Sequence, residues 1–101
     1  MKKKNTNFSN PRGGAAIKVQ IIPGAENNCV RKISQEGLVI LALKADKQTL
    51  NSALKEYLSG LFNVSSDQIE IIEGNNHNDR LVCVLDMNVQ DVNSALHKAI
   101  K

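Results

Sequence analysis

The chain has 101 residues, 42% apolar and 23% charged, a composition that fits one folded domain and excludes a disordered chain or two independent cores. Its formal charge of +3 is concentrated at one end: Lys2, Lys3, Lys4 and Arg12 give the first 14 residues +4, leaving −1 for residues 15–101. The folded part is therefore not basic, no apolar run reaches the roughly 18–20 residues of a membrane span, and the lysines lead into polar residues 5–10 where a signal segment would be apolar. A cytoplasmic location is expected.

Residues 1–14 hold one sizeable apolar group, Phe8, and read as a flexible basic tail that buries too little to offset its ordering entropy. Ile17, Val19 and Ile21 then alternate with Lys18 and Gln20, the period of a strand with one buried face. Pro23-Gly24 ends it, because proline offers the ladder no N–H and glycine permits the turn. Residues 29–34 alternate weakly, with Val30 beside Arg31 and Lys32, and suit an edge strand whose charges discourage a second molecule. Glu36-Gly37 turns the chain into Leu38-Val39-Ile40-Leu41-Ala42-Leu43, an unbroken apolar run that belongs inside a sheet.

Residues 46–63 form the organising helix. Leu50, Ala53, Leu54, Tyr57, Leu58, Leu61 and Phe62 recur at helical spacing, while Asn51, Ser52, Lys55, Glu56 and Ser59 fall on the other side. Asp46 is the expected N-cap, contributing about 1 kcal/mol, and Asn63 the stop. Residues 68–73 alternate through Ile69 and Ile71, residues 74–79 carry turn chemistry, and residues 81–85 form the next strand. Asn88, with Asp91 three residues later, caps a second helix whose buried stripe is Val89, Val92, Leu96 and Ile100. The elements predict an α+β, two-layer domain: a mixed, largely antiparallel sheet of four to five strands with two helices on one face, in the order β-β-β-α-β-β-α. A right-handed crossover within one sheet joins residues 43 and 69, with antiparallel hairpins on either side.

Chemistry is sparse. Cys29 and Cys83 make no CxxC spacing and read as reduced packing residues, able to bridge only from neighbouring strands. His77 lies in a loop beside Asp79 and His97 on the exposed side of the last helix, and Asp67, Glu70, Glu73 and Asp79 make no ligand or acid–base pattern. No metal, cofactor or catalytic residue is predicted. Single-stranded nucleic acid normally stacks on aromatic platforms worth roughly 1–3 kcal/mol per base, yet Phe8 lies in the tail, and Tyr57 and Phe62 turn toward the core. The expected function is that of a small non-catalytic binding or adaptor module with a protein or RNA partner. The alternative is an RNA- or DNA-associated accessory protein using Lys2, Lys3, Lys4 and Arg12 together with the Gly74 to Arg80 loop.

Three segments together resemble the YggU-like family of small proteins without an assigned activity. Lys18-Val19-Gln20-Ile21-Ile22-Pro23-Gly24-Ala25 is similar to that family's strand ending in Pro-Gly-Ala or Pro-Gly-Ser. Residues 51–64 are similar to the helix after its Gly-Lys-Ala-Asn motif, of which Asn51 matches while Thr49 stands at the lysine. Residues 69–74 and 80–84 are similar to its strand, glycine, basic loop and strand, with His77-Asn78 where the family has Ser-Arg and Arg80 at the later basic position. The resemblance implies the same α/β fold more firmly than any activity. It also implies a common end for Pro23, Gly24, Asn51, Gly74, Asn76 and Arg80, where loop amides, a helix N-terminus and a fixed cation suit an anion such as phosphate. The simpler reading is that the proline and glycines shape turns, Asn51 bonds local backbone and Arg80 is solvated.

Overall fold

The computed structural model describes residues 14–73 and 78–100. Lys2, Lys3, Lys4, Phe8 and Arg12 of the tail, and Gly74, Asn76 and His77 of the loop, lie outside the described residues. The strands are β1 (Ala15–Ile22), β2 (Cys29–Ile33), β3 (Leu38–Ala42), β4 (Ile69–Glu73) and β5 (Asp79–Val84). The helices are α1 (Leu50–Phe62) and α2 (Val89–Lys98), with one turn of 3-10 helix at Ser66–Gln68. A five-stranded sheet runs in the order β2-β3-β1-β5-β4, so the fold is α+β with a mixed sheet in the predicted element order.

The sequence leaves the partner of β1 open. This strand lies at the centre, parallel to β3 and antiparallel to β5, whereas β2–β3 and β4–β5 are the antiparallel hairpins. The crossover through α1 therefore passes over two strands before β4 is laid down parallel to β3. Central placement suits β1, which buries Ala15, Ile17, Val19 and Ile21 on one face and is the longest strand at eight residues.

The core lies between that face and the helices. Val39 and Leu41 stand beside Val19 and Ile21 in the register, Val82 and Val84 beside Ile17 and Ala15, and Ile69 beside Val84. Leu50, Leu54, Leu58 and Phe62 of α1, and Val92 and Leu96 of α2, close over them. The spacing of four is the α-helical return to one face. Asn63 ends α1 in the left-handed region (φ 58°), which asparagine tolerates better than most side chains.

Three local expectations are corrected. Asp46 does not cap α1: its Oδ1 accepts from the Gln48 and Thr49 N–H groups at 3.0 and 3.1 Å, closing a turn that ends one residue before Leu50. Thr49 occupies the cap position without a side-chain bond to the helix. In α2, Asn88 Oδ1 accepts from Asp91 N–H at 2.8 Å, as the spacing predicts, but the stripe narrows to Val92 and Leu96 because Val89 is 58% exposed. Ile100 lies beyond the helix, where it forms a parallel bridge with Val30.

Candidate functional site

The strands β1, β3 and β4 all run toward the end of the sheet at which α1 begins and β5 starts. There Gly24 N–H donates to the Ala45 carbonyl at 3.0 Å, Ala25 N–H to Leu43 at 3.1 Å, and Ile21 N–H to Asn78 at 2.8 Å. Asn28 Oδ1 accepts from Lys44 N–H at 2.7 Å. The Pro23-Gly24 turn is thereby tied to the segment that leads into α1. Gly24 has φ 71°, a conformation costly for a residue with a Cβ.

Arg80 joins the two layers at this end. It enters the helix side of the sheet beside Val19 and Glu73 in the register, and only 7% of it is exposed. Its Nε donates to Asn51 Oδ1 at 2.8 Å and its Nη1 to the Asp79 carbonyl at 2.8 Å. The planar guanidinium fits this because its donors are fixed in direction. Of the predicted site residues, Arg80 and Asn51 are thus in direct contact, and Pro23 and Gly24 stand at the same end. Gly74 and Asn76 lie outside the described residues. Arg80 is not the solvated side chain of the simpler reading: it braces the first turn of α1 against β5. The exposed charges of the segment leading into α1, Lys44, Asp46 and Lys47, are of both signs and make no single-sign field.

The opposite face of the sheet carries the feature least visible in the sequence. The register places Leu38, Ile40 and Ala42 beside Lys18, Gln20 and Ile22, then Leu81 and Cys83 beside Lys18 and Ala16, and finally Ile72 beside Leu81. Among the described residues no helix covers this face, and Ile22 and Ile72 are 43% and 51% exposed. Leu38, Ile40 and Leu81 are half-buried. The signal was present in the doublets Ile21-Ile22 and Ile71-Ile72: at a side-chain period of two, one member of each doublet must face away from the core.

Both thiols belong to this outer face but not to one another. Cys29 sits beside Ala42 on β2 and Cys83 on β5, with β3 and β1 between them. Three strand spacings alone set them about 14 Å apart, and their register partners on β1, Ile22 and Ala16, lie six residues apart along the strand; this is beyond the roughly 7 Å Cα limit of a disulfide, and both are free. Burial, and secondarily the Glu70 carboxylate, push the Cys83 thiol upward. We expect a thiol-reactive probe near neutral pH to modify half-buried Cys29 well before Cys83, because the thiolate is the nucleophile and access is needed; equal rates would contradict the burial of Cys83. The folded state holds the Cys83 proton more tightly than the unfolded chain. Its contribution to stability is therefore present below about pH 8.5, the ordinary cysteine value, and is lost as pH rises above it. Cys83→Ala should flatten that alkaline loss.

His97 is exposed on α2. Among the described residues no His, Cys, Asp and Glu cluster could hold a metal ion, and no helix is long and apolar enough to cross a membrane. Compared with protein-family models and with curated proteins, the chain matches no family model and no curated protein.

Proposed function

We propose that this protein is a small non-catalytic binding module of the YggU-like kind that engages a protein partner through the helix-free face of its sheet. The observation that carries the reading is the aliphatic surface of Ile22, Ile40, Leu81 and Ile72 on that face, with Ile22 and Ile72 43% and 51% exposed. These side chains flank the exposed Lys18 and Gln20 of β1, Ile22 and Ile40 on one side and Leu81 and Ile72 on the other, and apolar exposure grouped on one face beside polar residues is a mark of contact surfaces. The family reading rests on the three similar segments, which span about residues 17–85, and supplies no partner. Arg80, directed inward to Asn51, makes the loop end a braced corner in this reading.

The test is capture from lysate by the wild type and by Ile22→Lys and Leu81→Lys variants whose circular dichroism is unchanged. A partner held by the wild type and lost by both variants is the expected result. A partner retained equally by all three, or none at all, would overturn the use of this face. A second reading follows from the charge division, +4 in the first 14 residues against −1 in the rest: the tail lysines hold an RNA or DNA. Titration with a short single-stranded RNA would then show binding that weakens steeply with salt and disappears when Lys2, Lys3 and Lys4 are all replaced by alanine.

A further inference from the structure

The two edges of the sheet are finished differently. On the β2 edge Val30 forms a bridge with Ile100. The register also shifts between Val30 and Lys32, where Arg31 and Lys32 are exposed. A covering segment, a bulge and charged side chains are three ways in which strand edges are closed to other chains.

Among the described residues the β4 edge has no covering segment and no bulge, and the charges on its strand are acids alone, Glu70 and Glu73. Its polarity follows from one bond: Leu85 N–H donates to the Gln68 carbonyl at 2.7 Å, in line with a β4–β5 register that carries no shift. Antiparallel pairing alternates, so residues 68, 70 and 72 direct their backbone groups toward β5, and residues 69, 71 and 73 direct theirs outward. The Ile69 N–H is taken by the Ser66 carbonyl. Left outward are both backbone groups of Ile71 and Glu73 and the carbonyl of Ile69, on a strand of sequence Ile-Glu-Ile-Ile-Glu.

Such an edge recognises an extended strand, and its own sequence is self-complementary. We propose that β4 pairs antiparallel with β4 of a second copy, two-fold about Ile71, so that the two sheets become one. In this register Ile71 exchanges both of its bonds with Ile71 of the second copy. Each Glu73 N–H donates to the Ile69 carbonyl across the axis, which makes no demand on the Ile69 N–H that Ser66 already occupies. Glu70 stands opposite Ile72 and Ile69 opposite Glu73, so no acid directly faces an acid, whereas centring the pair on Glu70 would place like charges opposite one another. Ile72, 51% exposed, gains a neighbour beyond its own sheet. The two Glu70 side chains lie diagonally across the axis, about 7–8 Å apart, so added salt strengthens the association by screening them.

The proposal is independent of the helix-free face, which edge pairing leaves open. The test is the mass of the full chain by sedimentation over a concentration series at low and moderate salt, beside Ile71→Pro. That substitution deletes the outward N–H and leaves every β4–β5 bond in place, an edge position where proline is tolerated. The wild type is expected to pass from single to doubled mass, at lower concentration when salt is added. Ile71→Pro is expected to require about ten-fold more protein or more, the loss of one bond from each copy. Amide exchange in the wild type gives a second readout free of any folding defect: the Ile71 and Glu73 amides slow as concentration rises, while the Ile33 amide on the other edge does not. A wild type at single mass throughout, an Ile71→Pro that dimerises equally, or an Ile71 amide indifferent to concentration would each overturn the proposal.

Discussion

Leu54→Ala is expected to cost about 3 kcal/mol of folding stability, within the roughly 2–5 kcal/mol range of buried leucine truncations. Leu54 is fully buried at 0% exposure in the middle of α1, one turn from Leu50 and one from Leu58, which are 2% and 0% exposed. It lies in the cluster that joins the helix to Val19, Val39 and Val82. Truncation removes the transfer free energy of the lost carbons and leaves a cavity that a close-packed sheet cannot fill by relaxing. Domains of this size hold about 5–15 kcal/mol in all, and each kcal/mol moves the midpoint by about 4–8 °C. Thermal unfolding should therefore fall by roughly 12–24 °C. Leu54→Met, which conserves volume, should cost less than about 1.5 kcal/mol, and Glu56→Ala on the exposed side of the helix should stay within about 0.5 kcal/mol of the wild type. A Leu54→Ala variant that unfolds with the wild type would mean that α1 is not seated on the sheet.

That seat was legible in the sequence because the helical period and the strand period are both written in side-chain polarity. Leu50, Leu54, Leu58 and Phe62 fall on one line of α1, and Ile17, Val19 and Ile21 on one face of β1, so element type and buried face could be read locally. The partner of β1 could not. A pattern of buried and exposed side chains says that a strand has neighbours, but nothing in it separates a hairpin with β2 from the observed parallel pairing with β3. Both arrangements bury the same residues.

The start of α1 was misplaced for a related reason. Asp46 does accept backbone N–H groups two and three residues on, which is the bonding of a helix cap. It closes a separate turn, and the helix begins one turn later at Leu50. The cap signal was genuine, but a single turn and a helix share it.

At the sheet end, the sequence named residues that do gather there. Asn51 and Arg80 are 29 positions apart and in contact at 2.8 Å. The direction of the contact was hidden, since an arginine after a polar loop reads as solvated until its register on β5 turns it toward the helices. The doublets Ile21-Ile22 and Ile71-Ile72 say that one member of each faces away from the core, but only the strand order shows that the helices leave that face open.

Arg80→Ala is expected to destabilise the fold by about 2 kcal/mol, from hydrogen bonds of a charged donor worth roughly 1.5–3 kcal/mol together with the packing of its buried stem. The side chain is 7% exposed and connects the first turn of α1 through Asn51 Oδ1 with the start of β5 through the Asp79 carbonyl. Its loss uncouples the two layers at one end while leaving the Leu54 cluster intact. Amide exchange should accordingly quicken at Leu50 to Ala53 and at Asp79, and remain slow at Val82 and Val84. Arg80→Lys should recover less than half of the loss, because an ammonium cannot reproduce donors held in a fixed planar fork. Asn51→Ala, which removes one acceptor at an exposed position, should cost only about 1 kcal/mol. A double variant should be less destabilised than the sum of the two, since both act through one bond. An arginine that read a phosphate would behave in the opposite way: Arg80→Ala would leave the unfolding midpoint unchanged and abolish anion-dependent stabilisation. A midpoint lowered in Arg80→Ala, together with an equal response of both proteins to added phosphate, identifies Arg80 as the brace that fixes where α1 starts.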